Sequence, residues 1–515
     1  MPQTDIEAKE HSIRHRVRKA LALRTGLAEE DASVGALPQI TNGDEERYSD
    51  KCGTYTKGVK QAAIGVVDPA AYRTFKKALD RGTPQDFEQI LLGGPRTLNG
   101  PQAGLAYYLS CLDAIQFAVP PAPALASDWY ATELVELYWA SLLRDTAFTD
   151  YGASSFAKDA AKELSGLPEY KGPRDGSGQV TTDLLFRGGF PGETIGPYLS
   201  QFAVLATSLG ALPITQRYTT SKAGVDFMLD PTTFQQVQNG ISTGLSITPE
   251  APVYLHDARG LSAYTHVDVL YEAYFMAYLV LNTINAPFNP GNPYTKSKTQ
   301  NGFGTLGQPD VVTTMAAAAR EALNAVWLQK WFVHLRHRPE SGGAIVYLAK
   351  TGQANTVEGQ LSSVALNSNA VQTSYNTNHS YFLSQAFPEG SPTHPSYPTG
   401  HGTVAGACIT VLKFFFDGTF NIPNPQVPSP DGQTLSSYSD ASLDVNGELN
   451  KLARNISFGH GIHAGIHWRS DTDTSIEIGE AVALSYLRNL AKTYNENFTV
   501  TLQKVDGSTA TISNE

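Results

Sequence analysis

Cysteine is scarce in this 515-residue sequence. Cys52, Cys111 and Cys408 are an odd set with no CxxC pair, which excludes a disulfide framework and a thiolate zinc site. Long hydrophobic runs are missing too; nowhere do eighteen uncharged apolar residues follow one another, so no membrane insertion is expected. Charge of positive sign is in deficit, with 38 Lys and Arg against 49 Asp and Glu for a net charge of −11. No global basic field therefore draws the chain to nucleic acid, and any anion must be held by a local cluster. The N-terminal stretch lacks the apolar core of a secretory signal, so a soluble, cytoplasmic protein is expected. Arg14, Arg16, Arg18 and Lys19 in that stretch read as a solvated terminal segment rather than a binding arm.

What is present is a loop-rich globular composition: 41% hydrophobic residues with 45 Gly and 30 Pro. Helical periodicity is clear in several segments. Ser127-Asp128 can cap a helix carrying Leu134, Leu137, Tyr138 and Leu142; Leu270, Tyr274, Tyr278 and Leu281 form a second stripe; an Ala-rich stretch leads from Met315 through Leu323 and Val326 to Trp327. Strand signals are sparse until TVTLQKV and STATIS, which flank Asp506-Gly507 and predict one terminal hairpin with a type I′ turn. Long connections at 286–310 and 421–434 read as functional rims, subunit contacts or tethers. A single large, mainly helical unit is the simplest account.

Cationic and imidazole groups concentrate in three segments of the last third. The first runs from Lys330 to Arg338-Pro339, where Pro339 biases Arg338 out of the helical region and lets it swing off a helix end that keeps Lys330. A helix C-terminus enriched in basic residues would explain this segment alone equally well. The second is His394-Pro-Ser-Tyr-Pro-Thr399-Gly400-His401-Gly402 followed by an apolar, small-residue helix. There the hydroxyl of Thr399 and the amides of Gly400 and His401 point at a helix entrance, which attracts an oxyanion; an ordinary Thr cap is the plainer alternative. The third carries His460, His463 and His467 on one predicted helical face, with Asp471 four residues after His467 to fix its tautomer. A divalent-metal site shared by His463 and His467 competes with this reading, although no HExxH pattern or carboxylate set supports it.

Taken in order, Lys-x7-Arg-Pro, Thr-Gly-His and His-x3-Asp after a Gly-rich turn resemble the signature of the vanadium-dependent haloperoxidases and type 2 phosphatidic acid phosphatases. The stretches from Arg187 to Phe202, Tyr264 to Tyr274 and Ala386 to Pro395 are similar to the bromoperoxidases of marine algae and cyanobacteria, so the likeness covers roughly 100–490. It implies a mainly α fold of two four-helix bundles with long loops and a short terminal β-hairpin. Residues 1–99 would form an N-terminal helical and loop segment and 100–515 the haloperoxidase domain, with the site-forming part at about 310–490. It also implies one vanadate per subunit, held by Lys330, Arg338, Thr399, Gly400 and His401, with His467 as its axial ligand and Asp471 orienting His467. His401 would be the acid/base and Lys330 would polarise the peroxide. Trp327 would wall the halide pocket, and His394, seven residues before His401, marks the bromide-oxidising subclass. The partners implied are hydrogen peroxide, bromide or iodide and small organic acceptors, in a homo-oligomer of two or more copies.

One departure stands out. The family places Arg six residues before the axial His, where this chain has Gly461 with His460 beside it. A unit charge pair at 4 Å is worth about 4 kcal/mol at an effective dielectric near 20, so the loss matters. Three repairs are open: a one-residue π-bulge that brings His460 into register, a contribution from Arg469 or Arg454, or a genuinely weak site. The rival functions are an acid phosphatase with a His nucleophile and an inactive oxyanion-binding or assembly protein.

Overall fold

The computed structural model describes residues 3–266, 269, 271–353 and 360–514. The principal helices are α1 (Gln3–Val34), α2 (Pro69–Arg81), α3 (Asp128–Leu142), α4 (Ala258–His266), α5 (Glu272–Thr283), α6 (Gln308–Leu328), α7 (Pro339–Lys350), α8 (Gly400–Phe415), α9 (Val445–Phe458) and α10 (Arg469–Ala491), with a terminal hairpin of β1 (Thr499–Gln503) and β2 (Thr509–Ser513). The protein is mainly helical. Among the described residues no helix is long and apolar enough to cross a membrane, and all three cysteines are buried and free.

The helices fall into two groups. In one, α8 lies against α6, α9 and α10, and every α8 residue except His401 is buried. Small residues bring the backbones together: a Cβ on Gly406 would stand 2.0 Å from the Ile476 carbonyl oxygen, and one on Gly479 equally close to that of Thr403. Larger side chains at either position would force α8 and α10 apart. The second group surrounds α3 with the helices Ser155–Ser165, α7 and Asn369–Asn378. The Ser127 hydroxyl caps α3 by accepting from the Tyr130 amide at 3.1 Å. This helix is buried on nearly all sides although it carries Glu133 and Glu136, so both carboxylates need internal cations.

The helices anticipated from periodicity are α3, α5 and α6; α5 starts at Glu272, and Leu270 lies outside the described residues. The hairpin is where it was expected, but its turn is not type I′. Lys504 N donates to Ser508 O at 2.7 Å and Gly507 N to Lys504 O at 3.1 Å, and only Gly507 has positive φ, at 87°. That is a type I turn closed by a left-handed Gly, in which Asp506 keeps ordinary backbone angles. Three further two-stranded ladders, Gln61–Ala63 with Val66–Val67, Thr207–Leu209 with Leu212–Ile214, and Gln426–Pro428 with Leu435–Ser437, are too short to leave an alternating signal.

Candidate active site

Three breaks in helical structure build the site. At the end of α6 the chain widens into a π-turn, Gln329–His334, stops at Leu335 with φ 45°, and restarts at Pro339 with Arg338 extended at φ −85°, ψ 158°. Trp331, wholly buried against Tyr55 and Phe75 of the N-terminal segment and α2, anchors the π-turn from behind. Lys330 faces forward, and its Nζ donates to the carbonyls of Pro395 at 2.9 Å and Ser396 at 2.7 Å, using two of its three N–H bonds. Arg338 donates through Nε to the His394 carbonyl at 2.9 Å, through Nη1 to the Ile466 carbonyl at 3.1 Å, and meets His467 Nε2 at 2.7 Å. Neither cation has a carboxylate within ion-pair distance among the described residues. Burial and the Arg338 charge push the Lys330 pKa well down, and burial brings that of Arg338 to about 10.

The second break is the start of α8. Thr399 occupies the cap position with its amide on the Asp471 carbonyl at 3.2 Å, but its hydroxyl caps nothing. That oxygen is buried and has no hydrogen-bond partner. The Gly400 amide opens the helix, where geometry leaves it without an intrahelical acceptor. Trp327, half-buried on α6, faces His394 with ring centroids 4.8 Å apart and donates its indole N–H to Asn99 O at 3.1 Å.

The third break separates α9 from α10. A π-turn, Gly459–His463, ends α9; residues 464–468 are non-helical, and α10 begins at Arg469. The three histidines therefore do not share a helical face as expected. His460 stacks on His401 with centroids 3.9 Å apart and stands 6.1 Å from the His467 ring. His463 is turned away, its Nε2 2.8 Å from the Tyr198 hydroxyl and its ring edge-on to Phe186. The metal pair of His463 and His467 is thereby overturned, and among the described residues no cluster of three or more His, Cys, Asp or Glu could hold a metal ion.

His467 is held from behind by Asp471. Oδ2 accepts from His467 Nδ1 at 2.9 Å, from the Trp468 amide at 3.1 Å and from the Ser396 hydroxyl, while Oδ1 pairs with Arg336 at 2.7 Å. With Nδ1 as the donor, Nε2 keeps its lone pair and accepts from Arg338 Nη1 at 2.7 Å. Burial and the Arg338 charge drive the His467 pKa well down, so the ring is neutral. Burial and His401 do the same at His460; burial and Arg338 at His394.

One of the three repairs open to the missing arginine, a contribution from Arg469 or Arg454, fails on geometry. Arg469 forks onto Glu136, and Arg454 is taken by Glu193 and Asp473. A Cβ on Gly461 would lie 3.3 Å from His467 Cβ, so the expected position itself has little room. The π-turn carries His460 to the pocket instead. Sequence reasoning passed over Arg336, Glu133 and Ser396, which hold Asp471 and the α10 start; the signal was there in Glu133 and Glu136, two carboxylates amid the apolar residues of α3.

The arrangement suits a tetrahedral oxyanion: two buried cations without carboxylates lie about the neutral His467 ring, and the orphaned Thr399 hydroxyl and the helix-opening Gly400 amide stand at the adjoining start of α8, where the Thr399 amide donates to the Asp471 carbonyl. The family model for the VCPO second helical-bundle domain matches residues 310–496. The chain is 30% identical to a vanadium-dependent bromoperoxidase of Corallina officinalis, over 97% of this chain and 99% of that protein. It is also 30% identical to one of Ascophyllum nodosum, over 93% and 89%. A solved homohexameric structure, the second vanadate-dependent bromoperoxidase of Ascophyllum nodosum, superposes with a TM-score of 0.92 at 26% identity, covering 96% of this chain and 90% of that one.

Proposed function

This chain belongs to the vanadium-dependent bromoperoxidases, and from that premise we propose how its residues divide the work of oxidising bromide with hydrogen peroxide. Vanadate is the cofactor, and when bound it supplies the Lewis acid that activates peroxide. Lys330 and Arg338 would neutralise its oxygens, and the Thr399 hydroxyl and Gly400 amide would donate to it. His467 would hold it through Nε2, with Asp471 fixing the proton on Nδ1. His460 closes the side that an arginine occupies elsewhere in the family.

The overall reaction, bromide plus hydrogen peroxide plus one proton giving hypobromous acid and water, consumes a proton in a buried pocket. His401 is the acid/base that delivers it, at the pocket edge where α8 is least buried. Lys330 polarises peroxide with its remaining N–H. Trp327 and His394 line the halide approach. Iodide, the more easily oxidised halide, is a second substrate, small organic molecules take the halogen, and the protein works as a homo-oligomer.

The observation that carries this reading is the buried Thr399 hydroxyl without a partner beside two cations that lack carboxylates. Such a set is costly in water-free surroundings unless an anion completes it. Purified protein supplied with orthovanadate, peroxide and bromide should brominate a dione. Cleavage of a phosphate ester that vanadate abolishes, with no bromination, would establish the phosphatase instead; vanadate uptake without either turnover would mark an inactive oxyanion-binding protein.

A further inference from the structure

Arg338 and His394, which border the front of the site, are braced from the N-terminal segment. Thr54 and Tyr55 lie antiparallel to Leu335 and Arg336, with a bridge between Thr54 and Arg336 and the Tyr55 amide donating to the Leu335 carbonyl at 2.7 Å. This course delivers Lys57 into the interior, where its side chain is 2% exposed. Its Nζ meets Glu340 Oε1 at 2.7 Å and donates to the carbonyls of Glu389 at 2.8 Å and Ser391 at 2.5 Å, so all three N–H bonds are used. Glu340 grips the same turn with its other oxygen: Oε2 accepts from the Ser391 amide at 2.7 Å, while Oε1 also accepts from the Gln238 side chain at 2.8 Å. Between the two gripped residues, Gly390 has φ 60°, and a Cβ there would stand 2.3 Å from Glu340 Oε2.

Replacing a buried ion pair by neutral side chains of similar volume is often harmless to a fold, so stability alone is a poor reason for this one. What the pair specifies is register. Glu340 stands two residues after Arg338, and Ser391 three before His394. The two chain segments meet through Arg338 Nε on the His394 carbonyl at 2.9 Å and through Nη2 and His394 Nδ1 at 3.0 Å. The His394 ring in turn faces Trp327. Beyond His394 the chain is tied to the rear of the site, where Ser396 donates its amide to the Arg336 carbonyl and its hydroxyl to Asp471. Before it, Thr393 is bonded to the exposed residues Thr97 and Asn99. The buried tie on that side is the one that Lys57 and Glu340 make.

We propose that Lys57 and Glu340 are positioning residues for halide, clamping the 389–391 turn so that His394 stays against Arg338 and Trp327. This rests on the reading that His394 and Trp327 line the halide approach, and it names what sets the width of that approach. Vanadate affinity is outside the reach of the clamp, because Lys330 bonds to the carbonyls of Pro395 and Ser396 and Arg338 keeps Ile466 and His467.

The double variant Lys57→Met, Glu340→Gln removes the clamp without stranding a buried charge. Its bromide KM should rise about tenfold or more, with kcat at saturating bromide and vanadate affinity by equilibrium dialysis within about threefold of wild type. Urea unfolding should be unchanged, and in the vanadate-free crystal structure the contact between Arg338 Nη2 and His394 Nδ1 should be lost. Gly390→Ala, which pushes the turn off Glu340 with both charges in place, should raise the bromide KM likewise. A bromide KM that stays within about twofold in both variants, while His394→Ala raises it, would overturn the clamp alone. An unmoved KM in His394→Ala would remove the halide reading, and with it the proposal. Loss of stability and vanadate affinity in step with turnover would reduce the pair to structural support.

Discussion

The two sides of the His467 ring are built on opposite principles. Behind it three buried arginines have carboxylates: Arg336 is shared by Glu133 at 3.0 Å and Asp471 at 2.7 Å, Arg454 sits on Glu193 at 3.1 Å, and Arg469 on Glu136. Although burial opposes it, Asp471 and Glu133 together hold the Arg336 pKa above its ordinary value. In front, Lys330 and Arg338 are equally buried but meet only carbonyls and imidazoles. Their pKa values move down rather than up. In the rear network each of these arginines has a carboxylate; the front one, to which the reaction is assigned, has none among the described residues.

Substitutions on the two sides should therefore behave in opposite ways. The largest effect is expected at the boundary: His467→Ala should abolish vanadate retention and bromination, reducing turnover by about three orders of magnitude or more, as loss of a sole metal ligand does. Turnover within tenfold of wild type would remove His467 from its assigned place. On the rear side Arg336→Met leaves Glu133 and Asp471 buried without their cation, and urea unfolding should show a loss of about 3–5 kcal/mol. On the front side Lys330→Met should leave the vanadate-free protein as stable as the wild type or more so, while vanadate affinity drops. Equal destabilisation by the two substitutions would erase the distinction between front and rear.

A finer test concerns the front's third member. If His460 donates to the bound anion, His460→Ala should weaken vanadate binding about ten- to a hundredfold, the range for a hydrogen bond to a charged group, measured by equilibrium dialysis. Unchanged binding would reduce His460 to a packing partner of His401. The last test is of pH. Burial lowers the pKa of His337 and His463 to about 3, so both rings stay neutral in the folded protein while the unfolded chain takes up protons below about 6.5. Their contribution is complete above pH 6.5 and declines as pH falls toward 3, by about 1.4 kcal/mol per unit for each ring. Denaturation midpoints insensitive to pH between 6 and 4 would contradict their neutral burial.

Much of this was legible in the letters, for reasons that differ between elements. The long helices announce themselves where they bury one stripe of a 3.6-residue period, as α6 does. The breaks at the first two segments were legible because Pro339 and Gly400 mark a helix restart and a helix start, whereas the Gly-rich run at 459–465 was read through as one helical face. The rear network was not, since Glu133 and Arg336 lie 203 positions apart and only packing joins them. His463 was misplaced for a related reason: a helical wheel drawn through 460–471 ignores the π-turn and the five non-helical residues that rotate its ring toward Tyr198. The type I′ turn failed because the Asp-Gly pair was taken as the whole loop, whereas the ladder closes one residue further out, at Lys504 and Ser508.

The central claim is that one tetrahedral anion completes the front network. Crystals soaked in orthovanadate, with anomalous diffraction recorded at the vanadium edge, test it directly. The account predicts a single peak bonded to His467 Nε2, with its oxygens on Lys330, Arg338, Thr399 and the Gly400 amide. A peak bonded elsewhere, or a front network that stays empty at saturating vanadate, would contradict it.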